Sequence, residues 1–214
     1  MTARPTADWH AAPVLSGRVV RLEPIGPGHV DGLVAAADDD EVFAHLSHPR
    51  LRTADDAATL VAQAVRRHLA GEAVTWVQVA LDGADAPTVA GATSFYDIDP
   101  ARRALAIGST WLGRRWWRTG LNTEAKLLLL RRAFDELGAV RVVWHVDVRN
   151  ARSQAAVTRL GAVREGVLRK HKQRRDGSWR DTVLYAMTDD DWPATRDRLS
   201  AMASTERGRS TARP

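Results

Sequence analysis

Apolar residues recur along this chain in two rhythms, and the points where one gives way to the other mark out its elements. Val14 to Glu23 alternates like a strand and is broken by Gly26-Pro27-Gly28. His29 to Ala37 fits a short helix. Thr53-Ala-Asp-Asp opens a second helix with a capping-box-like start, and Leu60, Val61, Ala64, Val65 and Leu69 form its apolar stripe up to Gly71. Val74 to Leu81 and Val89 to Tyr96 read as strands separated by the turn-rich segment 82–87, Asp97 to Arg103 as a hairpin loop, and Leu105 to Leu112 as another strand. A strongly apolar helix is predicted from about Thr119 to Leu137, ending at Gly138. Val140 to Val148 is β-branched enough for a strand, Asn150 to Leu160 is a helix stopped by Gly161, and Val163 to Arg169 with Ser178 to Met187 forms a hairpin around Asp176-Gly177.

This order predicts a mixed α/β sheet of about seven strands with helices on both faces. A single domain is expected over 14–192, with loosely ordered tails at 1–13 and 204–214. At 214 residues, 44% of them hydrophobic, the chain can bury a full core. No stretch approaches the roughly 18 uncharged apolar residues of a membrane span, and the polar start lacks a secretory apolar region, so a cytoplasmic location is expected. The absence of cysteine excludes disulfides, thiolate nucleophiles, zinc ribbons and iron–sulfur clusters. A metal would need His and carboxylates, and none is expected.

Charge is unevenly spread. The formal net charge is +5, and the window from Arg164 to Arg180, with seven basic and two acidic residues, accounts for all of it. A second basic cluster stands in Gly113-Arg-Arg-Trp-Trp-Arg-Thr-Gly120-Leu-Asn-Thr-Glu124, where a strand runs into the long helix. Unpaired amides at a helix start and the positive end of its dipole favour an anion, and Gly120 lets the backbone approach one closely. The glycine spacing is neither that of a Walker loop nor GxGxxG. An ordinary strand-to-helix turn with exposed arginines is the alternative.

In these residues the chain resembles the GNAT superfamily of acetyl-CoA-dependent N-acetyltransferases, and within it the RimJ/RimL type, over about Val14 to Trp192. The superfamily pattern Q/R-x-x-G-x-G/A falls on Trp117-Arg118-Thr119-Gly120-Leu121-Asn122, followed at the family's spacings by Thr123-Glu124-Ala125, Asn150-Ala-Arg-Ser153 and Arg159-Leu-Gly-Ala162. Trp117 replaces Gln/Arg, and Asn122 replaces the second small residue. The resemblance implies a mostly antiparallel sheet whose fourth and fifth strands splay apart. It implies acetyl-CoA as acyl-donor cosubstrate, with the pyrophosphate on the amides of Arg118, Thr119, Gly120, Leu121, Asn122 and Thr123 and with Trp117 a further cofactor-binding residue. The pantetheine arm would pair with the edge at Thr110, Trp111 and Leu112, and Asn150 and Ser153 would face the same cleft. Asn150 could equally be a plain helix cap.

Transfer to an amine needs a group to take the ammonium proton. Many relatives use a Glu, at a place that is Ala106 here or at one that is His145, and an imidazole with a pKa near 6.5 suits that work. Strand parity puts His145, Asp147 and Arg149 on one face and Trp144, Val146 and Val148 on the other, so His145 is expected to leave the core, oriented by Asp147. If His145 is structural, Asp147 or a water relay to Asp97 and Asp99 is next. The Tyr that serves relatives as general acid is Val157 here. Ser153 is the nearest hydroxyl, and Tyr185 a looser candidate.

The resemblance places the acceptor between 37–53 and 170–179. The first segment carries Asp38-Asp39-Asp40-Glu41, which would draw a cation. The second carries Lys170, Lys172, Arg174 and Arg175, which would draw an anion or RNA. The leading reading is direct transfer of acetyl from acetyl-CoA to a primary amine, a protein N-terminus. A small-molecule amine is the rival acceptor, and a degenerate CoA- or nucleic-acid-binding module the rival class. A homodimer, and a succinyl in place of an acetyl donor, stay open; nucleic acid is expected only through the 169–175 hairpin.

Overall fold

The strand rhythm is realised in one eight-stranded sheet. The computed structural model describes residues 7–81 and 87–205. In chain order its elements are β1 (Leu15–Ser16), β2 (Val20–Pro24), α1 (Val30–Ala36), α2 (Ala54–Leu69), β3 (Ala73–Ala80), β4 (Thr88–Asp99), β5 (Ala104–Leu112), α3 (Leu121–Arg131), β6 (Arg141–Asp147), α4 (Ala151–Leu160), β7 (Val163–Gln173), β8 (Trp179–Thr188) and α5 (Trp192–Thr205). The sheet order is β1-β2-β3-β4-β5-β6-β8-β7. Every neighbouring pair is antiparallel except β5 and β6. The expected seven strands are eight because Val14 to Glu23 folds back on itself, the Gly17 amide donating to the Val20 carbonyl at 2.8 Å.

Two apolar clusters hold the layers together. One gathers Trp76, Phe95, Ile107 and Trp144 under α3, α4 and α5, and the other gathers Val77, Val79, Ala92 and Trp111 under α1 and α2. Helix α3 is buried nearly all round, with Leu121, Leu129 and Leu130 no more than 2% exposed. Each such leucine contributes roughly 1.5–3 kcal/mol relative to an exposed one. Glu124 of this helix is buried too, and its Oε2 accepts from the Val19 and Val20 amides at 2.7 and 3.0 Å, tying β2 to α3. The expected caps form: the Thr53 hydroxyl accepts from the Asp56 amide while Asp56 reaches back to the Thr53 amide, and Gly161 ends α4 at φ +99°.

Several boundaries differ from the sequence reading. The long helix stops at Arg131 and continues as a π-helical turn over Arg132–Glu136, where Arg132 pairs with Glu136 and donates to the Asp8 carbonyl. β7 runs four residues past Arg169, because alternating polar residues pair on an open edge as readily as apolar ones. α5 was not anticipated; its buried Trp192, Leu199 and Ala203 are too few to signal a helix, yet Trp192 donates to Asp135 at 2.7 Å and stacks on Phe134. Residues 7–13, expected in a loose tail, lie against the core through Ala7, Trp9 and Ala12, and the Trp76 indole donates to the Pro13 carbonyl. The remaining tail segments, 1–6 and 206–214, lie outside the described residues. Among the described residues no helix is long and apolar enough to cross a membrane.

Candidate active site

β5 and β6 are paired only from Ala104 to Ala106 against Arg141 to Val143, and from there they part. The parting has a local cause in β5. Its register against β4 jumps between Ser94–Gly108 and Ala92–Trp111, which inserts an extra residue, and Ser109 sits at φ +47°. Such a bulge bends and twists the strand that carries it. Beyond Ala106 the β6-facing edge of β5 has no strand neighbour among the described residues, and this stretch contains Thr110, Trp111 and Leu112.

The basic loop after β5 closes one end of this gap. Trp117 donates its indole N–H to the Leu112 carbonyl at 2.9 Å and carries the Arg152 guanidinium over its ring at 3.6 Å, so the loop is clamped to the start of α4. Arg118 is held at φ +61°, a left-handed conformation costing about 1–2 kcal/mol for a side chain of this kind. The Thr119 hydroxyl donates to the Trp116 carbonyl. The amides of Thr119, Gly120, Asn122 and Thr123 find no acceptor among the described residues. Asn122 Oδ1 and the Trp116 indole nitrogen are likewise buried without a partner. Unmatched donors at a helix start beside Arg114, Arg115 and Arg118 suit an anion, and the orphaned amide and indole offer further polar contacts. Leu121 instead points into the core, as do the Trp111 side chain, which meets Phe43, and Thr123, buried at 2% exposure. Only the backbone of these three can serve a ligand.

Thr110 turns its hydroxyl away from the gap, to Lys126 Nζ at 2.7 Å and Thr93 Oγ1 at 2.8 Å. Lys126 also donates to Thr93 at 2.8 Å, and burial pushes its pKa down to about 7. Asn150 Oδ1 accepts from the Ser153 amide at 3.0 Å, which makes it the cap of α4. Its amide nitrogen and the Ser153 hydroxyl have no partner among the described residues.

His145 leaves the core face as strand parity requires. Its partner is not Asp147, as expected, but Tyr96, whose Oη lies 3.0 Å from His145 Nδ1. Asp147 is engaged by Arg174 through two bonds of 2.7 and 2.8 Å, which hold its carboxyl below the usual range against the cost of burial. Tyr96 reaches His145 from β4 by crossing β5 at Gly108, where a Cβ would stand 2.7 Å from Tyr96 Cε1. Desolvation first, then Lys172, lowers the His145 pKa, while Asp97 opposes. Desolvation pushes the Tyr96 hydroxyl up to about 12. The bond can run in either sense; in the tautomer with the proton on Nδ1, Nε2 keeps its lone pair and can accept a proton at neutral pH. Tyr185 pairs with Trp144 across β6 and β8, on the opposite face from His145, and donates to Gln154 at 3.4 Å. Val157 is buried.

Tyr96 and Arg180 were missed by sequence reasoning, and Lys172 was expected only as part of the basic acceptor segment. Lys172 stands 5.9 Å from the Tyr96 ring centre and Arg180 donates to the His145 carbonyl at 2.8 Å. Only the sheet register brings these three strands together. A cleft of about 650 Å³ opens nearby between Ala44–Ser47 and the β7–β8 turn, floored by Asp147. The acidic run expected to draw a cation is spent on arginines: Asp38 accepts from the Arg114 amide, Asp39 and Glu41 pair with the Arg114 side chain, Glu41 also with Arg152, and Asp40 with Arg50 and Arg52. Among the described residues no three His, Asp or Glu groups gather to hold a metal ion.

Comparison with known proteins bears on the family and the fold. The profile of the acetyltransferase (GNAT) domain matches residues 20–163. A curated relative from Bacillus subtilis (strain 168), "Putative ribosomal N-acetyltransferase YdaF", is 30% identical over 110 residues, 49% of this chain and 56% of its own length, so the chain spans little more than half of it. A GCN5-related N-acetyltransferase from Brucella melitensis superposes with a TM-score of 0.84 at 28% identity, covering 94% of this chain and 88% of that one. The microcin C7 self-immunity acetyltransferase MccE, solved with acetyl-CoA and AMP, shares the fold at a TM-score of 0.70 and 22% identity, over 80% of this chain and 93% of its own.

Proposed function

The chain belongs to the GNAT acetyltransferase family, and from that membership we propose that it moves acetyl from acetyl-CoA directly to a primary amine, the N-terminus of a protein, in the manner of the RimJ/RimL type. The observation that carries the reading is the gap itself. An unpaired strand edge, a helix start with unmatched amides and an imidazole with an available lone pair converge where β5 leaves β6.

Acetyl-CoA supplies an activated acyl group. The chain's own residues do the rest. The amides of Thr119 to Thr123 and the cations Arg114, Arg115 and Arg118 receive the pyrophosphate, and the edge from Thr110 to Leu112 pairs with the pantetheine amides as an added strand would. The Asn150 amide nitrogen and the Ser153 hydroxyl face the same arm. His145 Nε2 takes the proton that the ammonium must shed before its nitrogen can attack, in the tautomer whose Nδ1–H donates to the Tyr96 hydroxyl. The departing thiolate needs no dedicated acid, because a thiol of pKa near 8.5 is already a fair leaving group; Ser153 is the hydroxyl placed to hydrogen-bond it. Trp117 in place of Gln/Arg, a replacement common in the RimJ/RimL branch that the sequence resembles, and the name of the Bacillus relative support the RimJ/RimL assignment.

The test is to incubate the protein with acetyl-CoA and short peptides bearing a free N-terminus and to follow release of CoA thiol and the mass of the peptide. Peptides gaining one acetyl on the α-amine are the expected product. Turnover of small amines alone, with no peptide modified, would move the acceptor to the small-molecule class.

A further inference from the structure

The acceptor cleft is cationic, and its cations have little to neutralise them. Lys172, Arg174, Arg175 and Arg180 line it against two carboxylates, Asp147 and Asp176. Asp147 is taken by Arg174. Asp176 sits on the exposed turn with its carboxylate on the Ser178 amide. Lys172, Arg175 and Arg180 then have no carboxylate within ion-pair distance among the described residues, Arg175 donating to the Phe43 carbonyl and Arg180 to that of His145. Burial weighs first against the charges of Lys172 and Arg180, and Arg180 then repels Lys172, while the more distant Asp97 and Asp147 oppose the effect on Lys172 and Arg180 respectively. The Asp38–Glu41 run does not line the cleft, and its carboxylates are engaged by other arginines.

Resting on the acetyltransferase reading above, we propose that this cleft selects an amine acceptor carrying a carboxylate or phosphate close to the reacting nitrogen, bound by Lys172, Arg175 and Arg180, so that the anion anchors the acceptor while its amine faces His145. Two of the three cations tie the cleft to the imidazole's surroundings: Lys172 lies over the ring of Tyr96, the partner of His145 Nδ1, and Arg180 donates to the His145 backbone carbonyl. An anion there relieves the mutual repulsion of the cations in a half-buried site, where charge pairing is screened less than on open surface. Polyamines and basic N-termini are disfavoured by the same field. The 169–175 hairpin turns Lys172, Arg174 and Arg175 into this cleft, which gives its charge a use other than nucleic acid.

The experiment compares three peptides that share an N-terminal Ala and differ at the second residue, Glu, Gln or Lys, together with free glutamate and its diamide. Dissociation constants by fluorescence anisotropy of labelled peptides are read alongside kcat/KM, so that the anion preference is measured even without turnover. Wild-type protein is expected to favour Glu over Gln about tenfold and to bind the Lys peptide least, with the margin shrinking at 0.5 M salt. Lys172→Glu and Arg175→Gln should erase the margin without moving the affinity for CoA. Equal binding of the three peptides and of the two small amines, or preference for Lys, overturns the proposal. If glutamate but no peptide is favoured, the anion site stands and the protein N-terminus is the part that fails.

Discussion

Lys126 offers the sharpest energetic test. It is a buried amine with two threonine hydroxyls and, among the described residues, no carboxylate for company, and burial lowers its pKa from 10.5 to about 7. In the unfolded chain the amine keeps its ordinary pKa, so between pH 7 and 10.5 the unfolded state holds a proton that the folded state has shed. Stability therefore rises with pH across that window and is flat below it. The full fall is worth about 5 kcal/mol at roughly 1.4 kcal/mol per pH unit, of which about 2 kcal/mol is recovered between pH 7 and 9. Lys126→Met keeps the length of the side chain and removes the charge, and the two hydroxyls, 2.8 Å apart, still satisfy one another. The variant should be more stable than wild type at pH 7 by a few kcal/mol, less the lost hydrogen bonds at about 1 kcal/mol each. The gap should close toward pH 10. Urea unfolding of both proteins from pH 6 to 10 measures it, and subtracting the two curves cancels every other titrating group. A difference that stays constant from pH 7 to 10 would refute the argument, because it would mean that Lys126 keeps its charge in the folded state over the whole range.

Four further outcomes follow from the site and its supports. His145→Ala should lower kcat by roughly 10²–10⁴-fold with acetyl-CoA affinity unchanged; in wild type the rate should fall as pH drops below an imidazole pKa lying under 6.5, and Lys172→Gln should move that limb to higher pH, read from pH–rate profiles. Gly108→Val should displace Tyr96 from His145 and cost about 1–3 kcal/mol of stability by overpacking, with activity falling further than that of Tyr96→Phe; activity equal to wild type in the folded variant counts against the Tyr96–His145 pair. Gly120→Trp should remove the thermal stabilisation by CoA, about 2.7 kcal/mol for wild type at 100 times the dissociation constant, while leaving the fold intact. Glu124→Ala strands the Val19 and Val20 amides and should lower unfolding free energy by about 2–3 kcal/mol in denaturant titrations, with CoA affinity retained.

Local patterning by itself determined most elements of this protein. The Thr53–Asp56 box, the Gly161 stop and the parity that turns His145 out of the core while Trp144 and Val146 enter it are all dictated within a few residues, because capping and strand alternation depend on near neighbours alone. Edges were harder. β7 past Arg169 and α5 carry too little apolar periodicity to be seen, and they form because β8 and the core are there to receive them. Partners were beyond reach. Asp147 was expected to face His145 from two residues away, but a carboxylate 3% exposed takes the strongest donor within range, and that is Arg174, brought over by the β7–β8 hairpin. Nor could a run of four acidic residues reveal that Arg50, Arg52, Arg114 and Arg152 would close on it. Side-chain charge is written in the sequence, whereas which charges remain uncompensated depends on distances across strands. That register, the bulge at Ser109 that opens β5 from β6, and the bare Gly108 that lets Tyr96 cross to His145 are decisions of the folded sheet.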